Sequence, residues 1–95
     1  MELLVSIRPY LGFGNIGWNC EFRYVVNSGG VGLRSGMSTY NKDNGDLWIW
    51  VSVLPNQDSG SYVGEITCYA RNRYNPSVEF SIAMDYYIEI YNSNL

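Results

Sequence analysis

Nine carboxylates, two cysteines and three tryptophans hold most of the chemistry that this 95-residue sequence offers, and histidine is absent. Without imidazole there is no Ser-His-Asp or Cys-His nucleophile, no His-ligated metal and no ordinary neutral-pH general base. Hydrolysis would fall to a pair of carboxyl groups about 5–10 Å apart beside a cleft, as in glycosidases. Asp43, Asp46 and Asp58 stand among turn residues, while Glu65, Glu79, Asp85 and Glu89 alternate with apolar residues on the outward side of strands. A small carboxylate-based enzyme is therefore one reading, although a chain this short has little room for a cleft.

Three further constellations have simpler explanations. Asn41, Asp43 and Asp46 surround Gly45 like ligands of a calcium loop, but the twelfth position counted from Asn41 is Ser52 rather than Glu. Turn formation accounts for all of them. Gly12-Phe13-Gly14-Asn15-Ile16-Gly17 approaches a dinucleotide fingerprint, yet no helix follows to offer its N-terminus to a phosphate, and the segment reads as an ordered bend. Cys20 and Cys68 fall on inward strand positions. They either meet across a sandwich in a disulfide worth about 4 kcal/mol or remain two buried thiols. No cofactor is required.

The aromatic pattern is more suggestive. Leu47, Ile49, Val51 and Val53 define the inward face of a strand, which leaves Trp48 and Trp50 on the other face beside Ser52. If a neighbouring strand adds Thr67, Tyr69 and Arg71 and the next adds Tyr87 and Tyr91, they form with Trp48 and Trp50 a platform of rings with polar groups, in which Trp48, Trp50, Tyr69, Arg71 and Tyr87 are the expected ligand-binding residues. Such a surface stacks against sugar rings or anchors a protein, because Trp, Tyr and Arg concentrate binding energy. In the plainer alternative, both faces of that strand are buried, one of them beneath residues 9–17.

The elements that must position these residues are strands. Trp18, Cys20, Phe22, Tyr24 and Val26 alternate with Asn19, Glu21, Arg23 and Val25, and the same period of two runs from Val78 to Tyr91. Further strands are expected at Leu3 to Ile7, Val31 to Tyr40, Leu47 to Leu54 and Tyr62 to Arg71. Turn residues separate them, at Asn27-Ser28-Gly29-Gly30, Asp43-Asn44-Gly45-Asp46, Pro55 to Gly60 and Tyr74-Asn75-Pro76. A type I′ turn at Asn44-Gly45 would set Lys42 opposite Leu47, Tyr40 opposite Ile49 and Thr39 opposite Trp50. At Asn75-Pro76, matching apolar faces demands an odd loop. That register pairs Cys68 with Ile82, Ile66 with Met84, Ala70 with Phe80, Arg71 with Glu79, and Gly64 with Tyr86, whose ring would cover the bare backbone.

The expected fold is all-β: one antiparallel β-sandwich or flattened barrel over residues 1–95, with about six to eight strands joined mainly by hairpins. Asp58-Ser59-Gly60-Ser61-Tyr62 resembles the segment before the second cysteine of immunoglobulin domains. That family places the cysteine two residues after the tyrosine, whereas Cys68 lies six after Tyr62. The resemblance implies the sandwich architecture alone.

Composition narrows the partners. With 46% hydrophobic and 16% charged residues the chain is a folding sequence, and at net charge −3 with scattered cations it is not a nucleic-acid binder. No apolar run approaches the roughly 20 residues of a membrane span, and no charged segment followed by an apolar one reads as a secretion signal. The leading expectation is a noncatalytic recognition domain for glycans. The alternative is a protein-binding or assembly component, such as an inhibitor, immunity protein or viral structural subunit, with homo-oligomerisation through sheet edges.

Overall fold

Apolar residues that recur at every second position form strands in the computed structural model, which describes residues 2–7 by their strand pairing and residues 19–91 in full. The strands are β1 (Glu2–Ile7), β2 (Cys20–Asn27), β3 (Leu33–Met37), β4 (Leu47–Val53), β5 (Gly60–Asn72) and β6 (Glu79–Ile90). They build two antiparallel sheets, ordered β1-β4-β3 and β2-β5-β6. The glycine-rich stretch 12–17 and Trp18 lie outside the described residues.

The expectation of a chain joined mainly by hairpins needs correction. Only β3–β4 and β5–β6 are hairpins; β1 pairs with β4, and β2 with β5. The chain therefore changes sheet between β1 and β2, between β2 and β3, and between β4 and β5. Each sheet has one apolar face, and these crossings let the two apolar faces share a core. Leu47, Ile49 and Val51 of β4 join Ile66 and Cys68 of β5 and Tyr86 and Ile88 of β6 in one buried cluster. Full burial of such side chains contributes about 1.5–3 kcal/mol each. A polar and an aromatic contact also tie the sheets: the Tyr24 and Ser35 hydroxyls lie 3.1 Å apart, and the Phe22 and Tyr40 rings stack at 4.8 Å.

In the β5–β6 hairpin the expected register holds throughout, with Cys68 opposite Ile82, Ala70 opposite Phe80, Arg71 opposite Glu79 and Gly64 opposite Tyr86. The Tyr86 hydroxyl crosses Gly64 and donates to the Asn27 carbonyl at 2.9 Å. In the β3–β4 hairpin the expected register fails. Met37, not Tyr40, faces Ile49, and Gly36, not Thr39, faces Trp50. Asn44-Gly45 is not a two-residue turn. Instead Gly45, at φ 75°, donates from its N–H to the Asn41 carbonyl at 2.8 Å and closes a five-residue turn. Tyr40 has left the ladder for its stack on Phe22 in the other sheet.

Cys20 and Cys68 are buried thiols on the inner face of the same sheet, not on facing sheets. Cys68 stands opposite Tyr24, four residues along β2 from Cys20. At strand rise that is about 13 Å, well beyond disulfide reach. Burial pushes the Cys68 thiol up to about 11 from an ordinary 9.0. A group whose pKa is raised by folding stabilises below its unfolded value, and that contribution disappears as pH climbs through the folded value. The urea midpoint should accordingly fall more between pH 9 and about pH 11 in the wild-type chain than in Cys68→Ala. Equal losses in the two chains would contradict this assignment. Native Cys68 should also resist alkylation until the chain is denatured.

Candidate functional site

The inward placement of Leu47, Ile49 and Val51 turns Trp48 and Trp50 outward, and both stay accessible, at 45% and 36% exposure. The bare backbone of Gly36 lies directly across from Trp50. A Cβ at Gly36 would come within 2.2 Å of Trp50 Cζ2, 2.4 Å of Cε2 and 2.6 Å of Nε1. The indole thus lies against the glycine and remains partly exposed. One pleat away, the Ser38 hydroxyl accepts the Trp48 N–H at 2.9 Å, and the Ser38 N–H donates to the Trp48 carbonyl at 2.8 Å. Arg34 stands opposite Ser52 on the same face and is exposed. Among the fully described residues, the outer face of this sheet carries Arg34 and Gly36 on β3, Ser38 just beyond its end, and Ser52, Trp50 and Trp48 on β4.

Tyr69, Arg71 and Tyr87 do not join the tryptophans. The single platform is overturned, because β4 pairs with β1 and β3 while Thr67, Tyr69, Arg71 and Tyr87 lie on β5 and β6 in the other sheet. Even within the second sheet they separate: Tyr69 faces Ser81, and Tyr87 faces Val63 six residues further along, about 20 Å away. Tyr69 belongs to a charged network in which the Arg23 guanidinium lies 3.8 Å over its ring, and Glu79 meets Arg23 at 3.6 Å and Arg71 at 3.7 Å. Tyr87 belongs to another group. Its hydroxyl and that of Tyr91 both donate to the Glu89 carboxylate, which holds Glu89 below the usual carboxylate range and raises Tyr91.

Sequence reasoning missed a cleft of about 310 Å³ between β2 and the segment that follows β3, lined by Cys20, Phe22, Met37, Tyr40 and Leu47, with Lys42 and Arg73 also present. It exists because the chain leaves the ladder after Ser38, which the misread Asn44-Gly45 turn concealed. Burial raises the Cys20 thiol, against a smaller lowering effect of Arg73, and burial likewise raises the Tyr40 phenol. Glu21 is the one carboxylate among the described residues lining this cleft. Register does set Glu65 directly opposite Asp85, but both are exposed on the open outer face of the second sheet. The residues of the calcium-like loop spend their side chains on turns: Asn41 Oδ1 accepts the Asp43 N–H at 2.9 Å, and Asn44 Oδ1 accepts the Asp46 N–H at 3.0 Å. Among the described residues no group of three or more acidic, cysteine or histidine side chains is placed to hold a metal ion.

Comparisons with protein-family models, curated proteins and solved structures return no match. Among the described residues no helix is long and apolar enough to cross a membrane.

Proposed function

We propose that this chain is a noncatalytic recognition domain that binds glycans on the outer face of the β1-β4-β3 sheet. The observation that carries this reading is the Trp50 indole lying against Gly36 while it and Trp48, the next outward residue on β4, both stay exposed. The C–H face of a sugar ring is flat and apolar, and an indole already seated against backbone meets it with little further loss of rotamer freedom. Two outward positions on one strand are about 7 Å apart, which lets neighbouring sugar rings each find an indole. Ser52, the outward residue after Trp50 on β4, adds a polar group to the face. A glycan array followed by tryptophan-fluorescence titration tests this. Trp48→Ala and Trp50→Ala should each weaken binding about thirtyfold or more while leaving the melting temperature nearly unchanged. Silence across every sugar class would remove the reading.

The architecture that supports it is one β-sandwich domain. With β1 to β6 taken as strands B to G, the two sheets have the B-E-D and C-F-G orders of immunoglobulin-like sandwiches. The Tyr62 hydroxyl donates to the Asp58 carbonyl four residues upstream at 2.9 Å, as in a tyrosine corner. Gly64, two residues after Tyr62, occupies the place of the second immunoglobulin cysteine and is covered by Tyr86. An architecture of this kind hosts many functions, so the functional reading rests on the tryptophan face.

A protein-binding reading finds support at β6, a 12-residue strand at the edge of its sheet with Met84 and Tyr87 exposed and Tyr91 exposed just after its end. Glu79, Asp85 and Glu89 on its outward row disfavour pairing with a second copy and favour a basic partner. A self-associated species in sedimentation at micromolar concentration would argue against that charge reasoning. The carboxylate-enzyme reading is opposed by the open setting of Glu65 and Asp85, away from the cleft.

A further inference from the structure

We infer that the glycan taken by this face carries an isolated carboxylate, which Arg34 receives; the inference rests on the glycan reading of Trp48 and Trp50. Because Gly36 is bare, the Trp50 indole reaches across to β3, where Arg34 is the next outward residue, about 7 Å along the strand. A sugar stacked on that ring places its substituents within reach of the guanidinium. The planar fork of arginine matches a carboxylate through two parallel hydrogen bonds, which a neutral sugar hydroxyl cannot match in strength.

The charge surroundings select Arg34 from the other cations. Arg23 and Arg71 are engaged by Glu79 in the opposite sheet. Arg34 is exposed and has no ion pair among the described residues. Its row partners on this face are Gly36, Ser38, Ser52, Trp50 and Trp48, none of them acidic. The nearest acid by register is Glu2 on β1, opposite Ser52 and therefore two strand spacings from Arg34, about 10 Å. One guanidinium on a chain of net charge −3 suits one carboxylate. A polyanion would meet repulsion from the rest of the molecule.

The test uses the full chain and a panel of oligosaccharides ending in sialic or glucuronic acid, each beside its neutral parent, with a polygalacturonate fragment as the polyanion. Tryptophan-fluorescence titration should find at least one acidic member bound about tenfold more tightly than its neutral parent, with that preference weakening as salt rises. Arg34→Gln should abolish the preference while leaving neutral-sugar binding and the melting temperature unchanged, and Arg34→Lys should retain part of it. Neutral parents binding as well as acidic members, an unaltered preference in Arg34→Gln, or tightest binding to polygalacturonate would each overturn the inference while sparing the glycan reading. Silence from every sugar, neutral ones included, would overturn both.

Discussion

Gly64→Ala should destabilise the chain by about 3 kcal/mol or more, read as a large fall in urea midpoint. A Cβ at this position would come within 2.2 Å of the Tyr86 ring and hydroxyl and within 2.4 Å of the Asn27 carbonyl oxygen. Gly64 lies on β5 opposite Tyr86, beside the last pair of the β2–β5 ladder, Asn27 with Glu65, so the Asn27 carbonyl cannot retreat without opening that ladder. Tyr86 is itself buried, at 8% exposure, and its hydroxyl is committed to Asn27. Two companions separate the causes. Tyr86→Phe keeps the ring and loses one hydrogen bond, which should cost about 1 kcal/mol. Adding Tyr86→Ala to Gly64→Ala should not restore stability, because the Asn27 carbonyl is backbone and stays where it is. Wild-type stability in Gly64→Ala would mean that Tyr86 does not rest on this glycine.

The same pair of residues explains why one hairpin was legible in the sequence. For β5 and β6, apolar alternation, the Arg71–Glu79 charge pair and the glycine facing an aromatic all demand a single register, and the observed ladder has it. The β3–β4 hairpin offered an equivalent signal, Gly36 facing Trp50, but the Asn44-Gly45 dipeptide outweighed it. That dipeptide names a turn without fixing its length. Asn41 captures the N–H of Asp43, Gly45 closes on the Asn41 carbonyl, and the reversal grows to five residues. Tyr40 then serves the opposite sheet through Phe22, a partner 18 positions away that no local pattern reveals.

Sheet membership was hidden for a related reason. Alternation tells which side of a strand is apolar but not which strand lies beside it, so the β1–β4 and β2–β5 pairings were invisible. The outward setting of Trp48 and Trp50 followed from β4 alone and was correct. Their grouping with Tyr69, Arg71 and Tyr87 required strand neighbours, and the crossing between β4 and β5 puts those three in the other sheet. Arg34, by contrast, enters the site through the β3–β4 register, which the corrected turn supplies.

Gly36→Val should weaken glycan binding about as much as Trp50→Ala, about thirtyfold, without unfolding the chain. Gly36 and Gly64 share the same nearest approach, 2.2 Å from an aromatic carbon to the added Cβ, yet their settings differ. At Gly36 all three nearest atoms belong to the Trp50 side chain, which is exposed and can swing outward. Valine also suits the pleated backbone of β3 better than glycine, so stability should change by no more than about 1 kcal/mol. The indole loses its seat against the backbone and must spend rotamer entropy to meet a sugar. Its fluorescence emission should move to the red as water reaches both sides. Retained binding together with that emission shift would show that the sugar does not sit on Trp50, and the site would then have to be sought at Trp48 alone.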